Sequence, residues 1–148
     1  RIKRLEKYIK TDDFHLTYGD GVSNINLKQL VNFHQEHGKI ATVSAVRPPS
    51  RFGEMLIDGN DVNVFDEKSQ MHTGYINGGF FIINKKVLKY LTEKEDCDFE
   101  FGPLQNIVQD KQLKAYKHNE FWQCMDNVRE RDYLDSLIEK GKAPWIKW

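Results

Sequence analysis

Short apolar runs separated by polar or glycine-bearing breaks predict alternating helices and strands. Ile2, Leu5, Tyr8 and Ile9 recur at helical spacing, and Thr11-Asp12-Asp13 interrupts them. Phe14 to Tyr18 reads as a first strand. Leu27, Leu30, Val31 and His34 share one face of a helix that Asn24 or Asn26 can cap and Gly38 can stop. Ile40 to Val46 is largely apolar and β-branched, which suits a buried strand. Strand, helix and strand in that order fit a right-handed βαβ unit.

The second half continues in the same way. Pro48-Pro49 forces an extended, turn-rich segment. Phe52 to Ile57 and Val62 to Phe65 flank Asp58-Gly59-Asn60-Asp61, a hairpin signal. Tyr75 to Ile83 predicts a central strand, and Gly78-Gly79 within it predicts a bulge or a ligand against the backbone. Lys85 to Tyr90 is a short helix, and the acidic stretch from Thr92 to Asp98 is a surface loop. Leu104 to Asp110 is a helix with Pro103 in its first turn. Leu113 to Lys117 and Phe121 to Gln123 read as strands. Asn127 and Glu130 form a capping box for a last helix that buries Tyr133, Leu134, Leu137 and Ile138 and ends at Gly141. The tail from Ala143 to Trp148 is aromatic and should pack on something. The whole reads as an α/β protein of one domain over residues 1–148.

Composition narrows the function classes. Lys plus Arg and Asp plus Glu both number 22, so the formal charge is zero and nothing global favours nucleic acid or a membrane surface. Nine Phe, six Tyr and three Trp argue against disorder. No apolar run approaches the length of a membrane helix, and no signal peptide or lipidation motif is visible. With only Cys97 and Cys124, a disulfide framework is not expected, and a reduced cytoplasmic compartment is. The five histidines lack zinc-ligand spacing. Cys124 has no paired catalytic His and reads as buried packing.

Candidate chemistry centres on Tyr18-Gly19-Asp20-Gly21. A strand that runs into Gly-Asp-Gly delivers a carboxylate to a sheet rim, where glycines permit a tight turn and close approach of a ligand. Asp126, between a short strand and a helix start, is a second carboxylate at a strand end. Two such acids suit Mg2+, which takes one or two carboxylates and completes its shell with water and substrate phosphates. Lys68, after Glu67, suits a phosphate as a point charge, and Asn77 with the glycine amides can bond sugar hydroxyls. Each also has a plain structural reading. Asp20 can be a turn residue, Asp126 a helix cap, and Glu67-Lys68 a solvated pair. Arg51-Phe52-Gly53 is either a loop over the site or a turn.

In order, several segments resemble the sugar nucleotidyltransferases, and among them the glucose-1-phosphate cytidylyltransferases. They are Arg1-Ile2-Lys3-Arg4, Leu16 through Val22, Pro48-Pro49 with Arg51-Phe52-Gly53, Glu67-Lys68-Ser69, Ile76-Asn77-Gly78-Gly79-Phe80-Phe81, Phe121-Trp122-Gln123-Cys124-Met125-Asp126, and Glu139 through Trp145. The resemblance implies a Rossmann-like, GT-A-like mixed sheet flanked by helices. It implies transfer of a cytidylyl group from CTP to glucose 1-phosphate with Mg2+, giving CDP-glucose and pyrophosphate. It assigns catalytic roles to Asp20, Lys68 and Asp126, with Asp20 and Asp126 holding the metal. Arg1, Gly19, Glu67, Lys68, Asn77 and Gly78 are implied to bind nucleotide or sugar phosphate. A homo-oligomer is implied as well.

The family's Gly-Gly-x-Gly-Thr-Arg phosphate loop and the lysine that follows it have no counterpart here. The chain is therefore expected to be the C-terminal part of such a domain, incomplete at its N-terminus and inactive by itself. Ser69 replaces a proline common in relatives, and Gly102 stands where relatives often have an acid. Three other functions remain open. One is nucleotidyl transfer with another base or sugar. Another is a metal-dependent glycosyltransferase, whose Asp-x-Asp pair is absent here. The third is a non-catalytic interaction domain.

Overall fold

Three asparagines start three helical segments. The side-chain oxygens of Asn26, Asn84 and Asn127 accept the backbone N–H of Gln29, Lys86 and Glu130, each at 3.1 Å. Each bond satisfies a donor that the first helical turn leaves without a partner. The structure, a computed structural model, describes residues 2–48, 53–67, 74–94 and 97–147, apart from the side chains of 53, 54, 56 and 65–67.

Its strands are β1 (Asp13–Thr17), β2 (Gly21–Ser23), β3 (Ala41–Val46), β4 (Gly53–Asp58), β5 (Asp61–Glu67), β6 (Ile76–Asn84), β7 (Leu113–His118) and β8 (Trp122–Cys124). The α-helices are α1 (Leu27–His37), α2 (Pro103–Gln109) and α3 (Val128–Glu139). Residues Ile2–Tyr8 and Lys85–Tyr90 form 3-10 helices. The first differs from the helix expected at the N-terminus in that it buries no residue, and Leu5 and Tyr8 face solvent. Apolar residues three apart fit a 3-10 turn as readily as an α-helix.

The main sheet has the order β1-β6-β3-β7. β6 lies antiparallel to β1, with Leu16 opposite Phe81. β6 is therefore an inner strand, as its apolar run predicts, and it separates β1 from β3. The expected strand–helix–strand unit thus spans β6. Inner strands are covered on both faces, which is why β3 and β6 read as continuous apolar runs. The flanking strands β1 and β7 are more polar and more exposed.

Two compact units are distinguishable. The first comprises Arg1–Gly19, Asn26–Ser44 and Gly79–Lys117, and the second Asp20–Ile25, Ala45–Gly78 and His118–Trp148. The core of the first unit is Ile40, Ala41, Phe81, Ile83, Val87, Leu88, Leu91 and Ile107. Gly79 has φ +77°, and an added Cβ would lie 3.1 Å from the Tyr18 ring. Glycine is thus needed there to seat Tyr18, rather than to admit a ligand. The Tyr18 hydroxyl donates to Glu100. Gly102 has φ +116° ahead of α2, a conformation that an acidic residue adopts only with strain.

On the other side of β3, a partly buried relay joins α1 to the sheet. The Lys39 N–H donates to His37 Nδ1 at 2.9 Å, so His37 carries its proton on Nε2 and donates to Thr42 Oγ1 at 2.7 Å. The Thr42 hydroxyl is left to donate to His34 Nδ1 at 2.8 Å, and His34 Nε2 faces Asp13 Oδ1 at 3.5 Å. Both histidines are thereby held neutral. Burial lowers the His34 pKa despite the Asp13 charge. Burial, followed by the repulsion that a protonated His34 and the Lys114 charge would exert, lowers that of His37.

Lowered folded-state values mean that the unfolded chain takes up protons first as pH falls. This contribution is complete above about pH 6.5, the ordinary histidine value, and is lost as pH falls toward the folded values. The urea midpoint is expected to drop between pH 7.5 and pH 5.5, and to drop less in His37→Gln. Equal pH dependence in the two proteins would show that the relay does not require neutral imidazole.

The second unit contains the β4–β5 hairpin, the β2–β8 ribbon, α3 and the tail. The hairpin pairs Gly53 through Asp58 with Glu67 through Asp61 around a turn at Gly59, φ +62°, and carries an irregularity between Leu56 and Ile57. In α3 only Leu134 is buried, and Tyr133 and Ile138 are about half exposed, so its apolar face is narrower than the sequence spacing suggests. The aromatic tail does pack: Trp145 stacks on Phe121 with ring centroids 5.2 Å apart.

Candidate active site

The β2–β8 ribbon builds the site. Gly21 pairs with Cys124, Val22 with Gln123 and Ser23 with Trp122. This three-residue strand after Asp20 is absent from the sequence reading, because Gly-Val-Ser has no alternating run long enough to register. The ladder continues outward, and the Met125 N–H donates to the Asp20 carbonyl at 2.8 Å. Asp20 and Asp126, 106 positions apart in the chain, therefore leave the same end of one ribbon. Both are exposed.

The glycines beside Asp20 do not serve the turn. Neither Gly19 nor Gly21 has positive φ. A Cβ added to Gly19 would meet nothing within 4 Å, so its bareness leaves open space beside Asp20. On Gly21 a Cβ would come within 3.7 Å of the Trp122 ring nitrogen and 3.8 Å of the Gly78 carbonyl oxygen. Trp122 Nε1 donates to that Gly78 oxygen at 2.8 Å. The indole thus holds the Asn77-Gly78 segment of β6 against the ribbon. Asn77 is exposed and Gly78 buried. Tyr75, just before β6, donates to Asn119 at 2.8 Å.

Asp20, Asp126, Asn77 and Gly78 are thus assembled around β2 and β8. Arg1 and Lys68, together with Arg51-Phe52, lie outside the described residues, and Glu67 is described only as the last residue of β5. Trp122 joins this candidate site through Gly78, and the sequence reading did not single it out. Its signal was an aromatic on a strand too short to bury it alone.

Cys124 departs from the buried packing expected of it. It is half-buried, and its Sγ lies 3.7 Å from Glu130 Oε2. Cys124, Asp126 and Glu130 bring one ligating atom each within 4.8 Å of one another. The carboxylates are hard oxygen donors that suit Mg2+, whereas the thiol would favour a softer ion. Elsewhere, a hollow of about 650 Å3 in the first unit is lined by Asp13, His34, Lys39, Asn84, Lys86 and Tyr90 among others, and by none of the predicted site residues.

The sequence profile of the nucleotidyl transferase family matches residues 2–133. The chain belongs to that family. Over 149 aligned positions this nucleotidyltransferase chain is 44% identical to glucose-1-phosphate cytidylyltransferase of Salmonella typhi, covering all of this chain and 58% of that protein. It is 29% identical over 145 positions to mannose-1-phosphate guanyltransferase of Saccharomyces cerevisiae, covering 93% of this chain and 39% of the relative. The chain thus spans little more than half the length of the cytidylyltransferase it matches. Among solved structures, the inositol-1-phosphate CTP transferase of T. maritima superposes with a TM-score of 0.61 at 18% identity, over 96% of this chain and 60% of that one. HddC of Yersinia pseudotuberculosis does so with a TM-score of 0.60 at 23% identity, over 89% and 58%. At such identities the likeness establishes the mixed α/β fold of nucleotidyltransferases. No helix among the described residues is long and apolar enough to cross a membrane.

Proposed function

We propose that the full-length protein transfers the cytidylyl group of CTP to glucose 1-phosphate, releasing pyrophosphate and forming CDP-glucose. The observation that carries this reading is the convergence of Asp20 and Asp126 on one end of the β2–β8 ribbon through the Met125–Asp20 hydrogen bond. The 44% identity to a cytidylyltransferase favours CTP and glucose 1-phosphate over other pairs.

In the reaction, an oxygen of the sugar phosphate attacks the α-phosphorus of the nucleotide. A new P–O bond forms, the bond to the β-phosphate breaks, and pyrophosphate leaves. No covalent intermediate on the protein is needed, so catalysis is positioning and charge neutralisation. Asp20 and Asp126 are the residues that would hold Mg2+. When bound, the ion supplies positive charge for the transferring phosphoryl group. Lys68 orients the incoming sugar phosphate as a point charge. Asn77 and the Gly78 backbone, steadied by Trp122, take the sugar. Gly19 leaves room for nucleotide beside Asp20, and Arg1 and Glu67 complete the substrate contacts. Assembly as a homo-oligomer in the cytoplasm belongs to the same reading.

Similarity to a mannose-1-phosphate guanyltransferase favours a second base and sugar as the alternative. The test is full-length protein with Mg2+, glucose 1-phosphate or mannose 1-phosphate, and each of CTP, dTTP, GTP, UTP and ATP. Pyrophosphate release is expected chiefly with CTP and glucose 1-phosphate. Preference for another pair would overturn the substrate assignment. Consumption of CDP-glucose onto an acceptor without pyrophosphate would indicate a glycosyltransferase.

A further inference from the structure

We propose that Glu130 is a positioning residue for Asp126, fixing the backbone from which that carboxylate projects. The proposal rests on the reading of Asp126 as a metal ligand in cytidylyl transfer.

Glu130 sits in the first turn of α3. Its N–H donates to Asn127 Oδ1 at 3.1 Å, one half of a capping box. In such a box the acidic side chain ordinarily returns to the N–H of the cap residue itself. Here Glu130 Oε2 accepts the N–H of Asp126, one residue earlier, at 2.8 Å. The bond therefore restrains the candidate ligand as well as the helix end.

Each residue from Cys124 to Asp126 is held by a different link. Cys124 pairs with Gly21 in the ribbon, Met125 donates to the Asp20 carbonyl at 2.8 Å, and Asp126 donates to Glu130. Among the described residues the Asp126 carboxylate has no hydrogen-bond or ion-pair partner of its own, so its direction depends on the backbone beneath it. Cys124 Sγ lies 3.7 Å from the same Glu130 oxygen, a weak donor beside the Asp126 N–H. Because Glu130 lies within 4.8 Å of the Asp126 donor atom, its charge also favours a cation there.

The test compares Glu130→Ala, Glu130→Asp, Glu130→Gln, Asn127→Ala and Asp126→Asn in the full-length protein. Mn2+ serves as the probe metal in a binding titration, and hydrogen exchange is followed at the Asp126 amide. Mg2+ dependence of turnover is measured alongside. Glu130→Ala should weaken Mn2+ binding by about tenfold, as loss of a residue supporting a ligand typically does. It should raise the half-saturating Mg2+ to match, speed Asp126 amide exchange, and change kcat at saturating Mg2+ far less.

Glu130→Asp keeps an acid at the helix start but falls short of the Asp126 N–H, and should resemble Ala. Glu130→Gln retains an acceptor oxygen and should restore Mn2+ affinity to within about threefold of wild type. Asn127→Ala weakens the same helix start and should leave Mn2+ affinity within about twofold. Equal loss of affinity in Asn127→Ala and Glu130→Ala would reduce Glu130 to a helix cap. Unchanged Mn2+ affinity in both Glu130→Ala and Glu130→Asp, with Asp126→Asn binding poorly, would overturn the proposal alone. Unchanged Mn2+ binding in Asp126→Asn would overturn the metal assignment beneath it.

Discussion

Asp126→Asn in the full-length protein is expected to lower cytidylyl transfer by about 10^3-fold or more at saturating Mg2+, while the fold stays intact. On the proposed metal-binding reading, the magnitude follows from losing one of two anionic ligands to a cation that would neutralise the transferring phosphoryl group. Such an effect is worth several kcal/mol of barrier, and about 1.4 kcal/mol is tenfold in rate. The fold should survive because the Asp126 side chain is exposed and its structural link to Glu130 uses the backbone N–H, which asparagine keeps. The check is turnover across Mg2+ concentrations, paired with a thermal melt. Wild-type turnover at saturating Mg2+ would remove Asp126 from the metal site. A melt lowered in step with activity would mean that the residue is structural.

The largest stability effect is expected at Phe81. It is 1% exposed and among the largest fully buried side chains. It lies on β6 with its ring centroid 5.7 Å from Tyr18 and 5.8 Å from Phe99, in tilted and edge-on arrangements. Phe81→Ala removes this whole payload and leaves a cavity on the face of β6 that packs against Tyr18 and Phe99. The cost is expected to be about 3–5 kcal/mol. Set against the roughly 5–15 kcal/mol of a typical domain, that is a third or more of the total. Urea unfolding followed by circular dichroism measures it. A loss below about 1 kcal/mol would show that the Tyr18–Phe81–Phe99 cluster is not tightly packed.

Tyr18 covers Gly79 on one side and immediately precedes Gly19-Asp20. Gly78, the residue before Gly79, is held by Trp122. The Gly-Gly pair thus serves two different contacts, an aromatic ring at Gly79 and an indole N–H at Gly78, where sequence alone suggests a bulge or a bound ligand.

Most elements were legible because their signals are local. The asparagine caps, Pro103 at the start of α2, the turn at Gly59 and the runs of β3 and β6 each follow from side-chain chemistry or backbone limits within a few residues. What failed was also local in cause. Residues three apart from Ile2 to Tyr8 suit a 3-10 turn as well as an α-helix, and in the 3-10 turn Leu5 and Tyr8 are left exposed. The narrow buried face of α3 depends on what covers it, which helical spacing does not encode.

The site divides along the same line. By itself, the sequence determined the α/β class, the inner position of β6, and the two aspartates at strand ends. Those follow from periodicity, from glycine and proline chemistry, and from the ordered motifs. Only the tertiary structure decided that Asp20 and Asp126 share one ribbon end, since a three-residue strand has no periodicity and declares itself only when paired. It also decided that Trp122 secures Gly78 and that Glu130 reaches past its own helix cap to Asp126. These are hydrogen bonds whose partners depend on where separate elements come to lie, and no local pattern of residues specifies that.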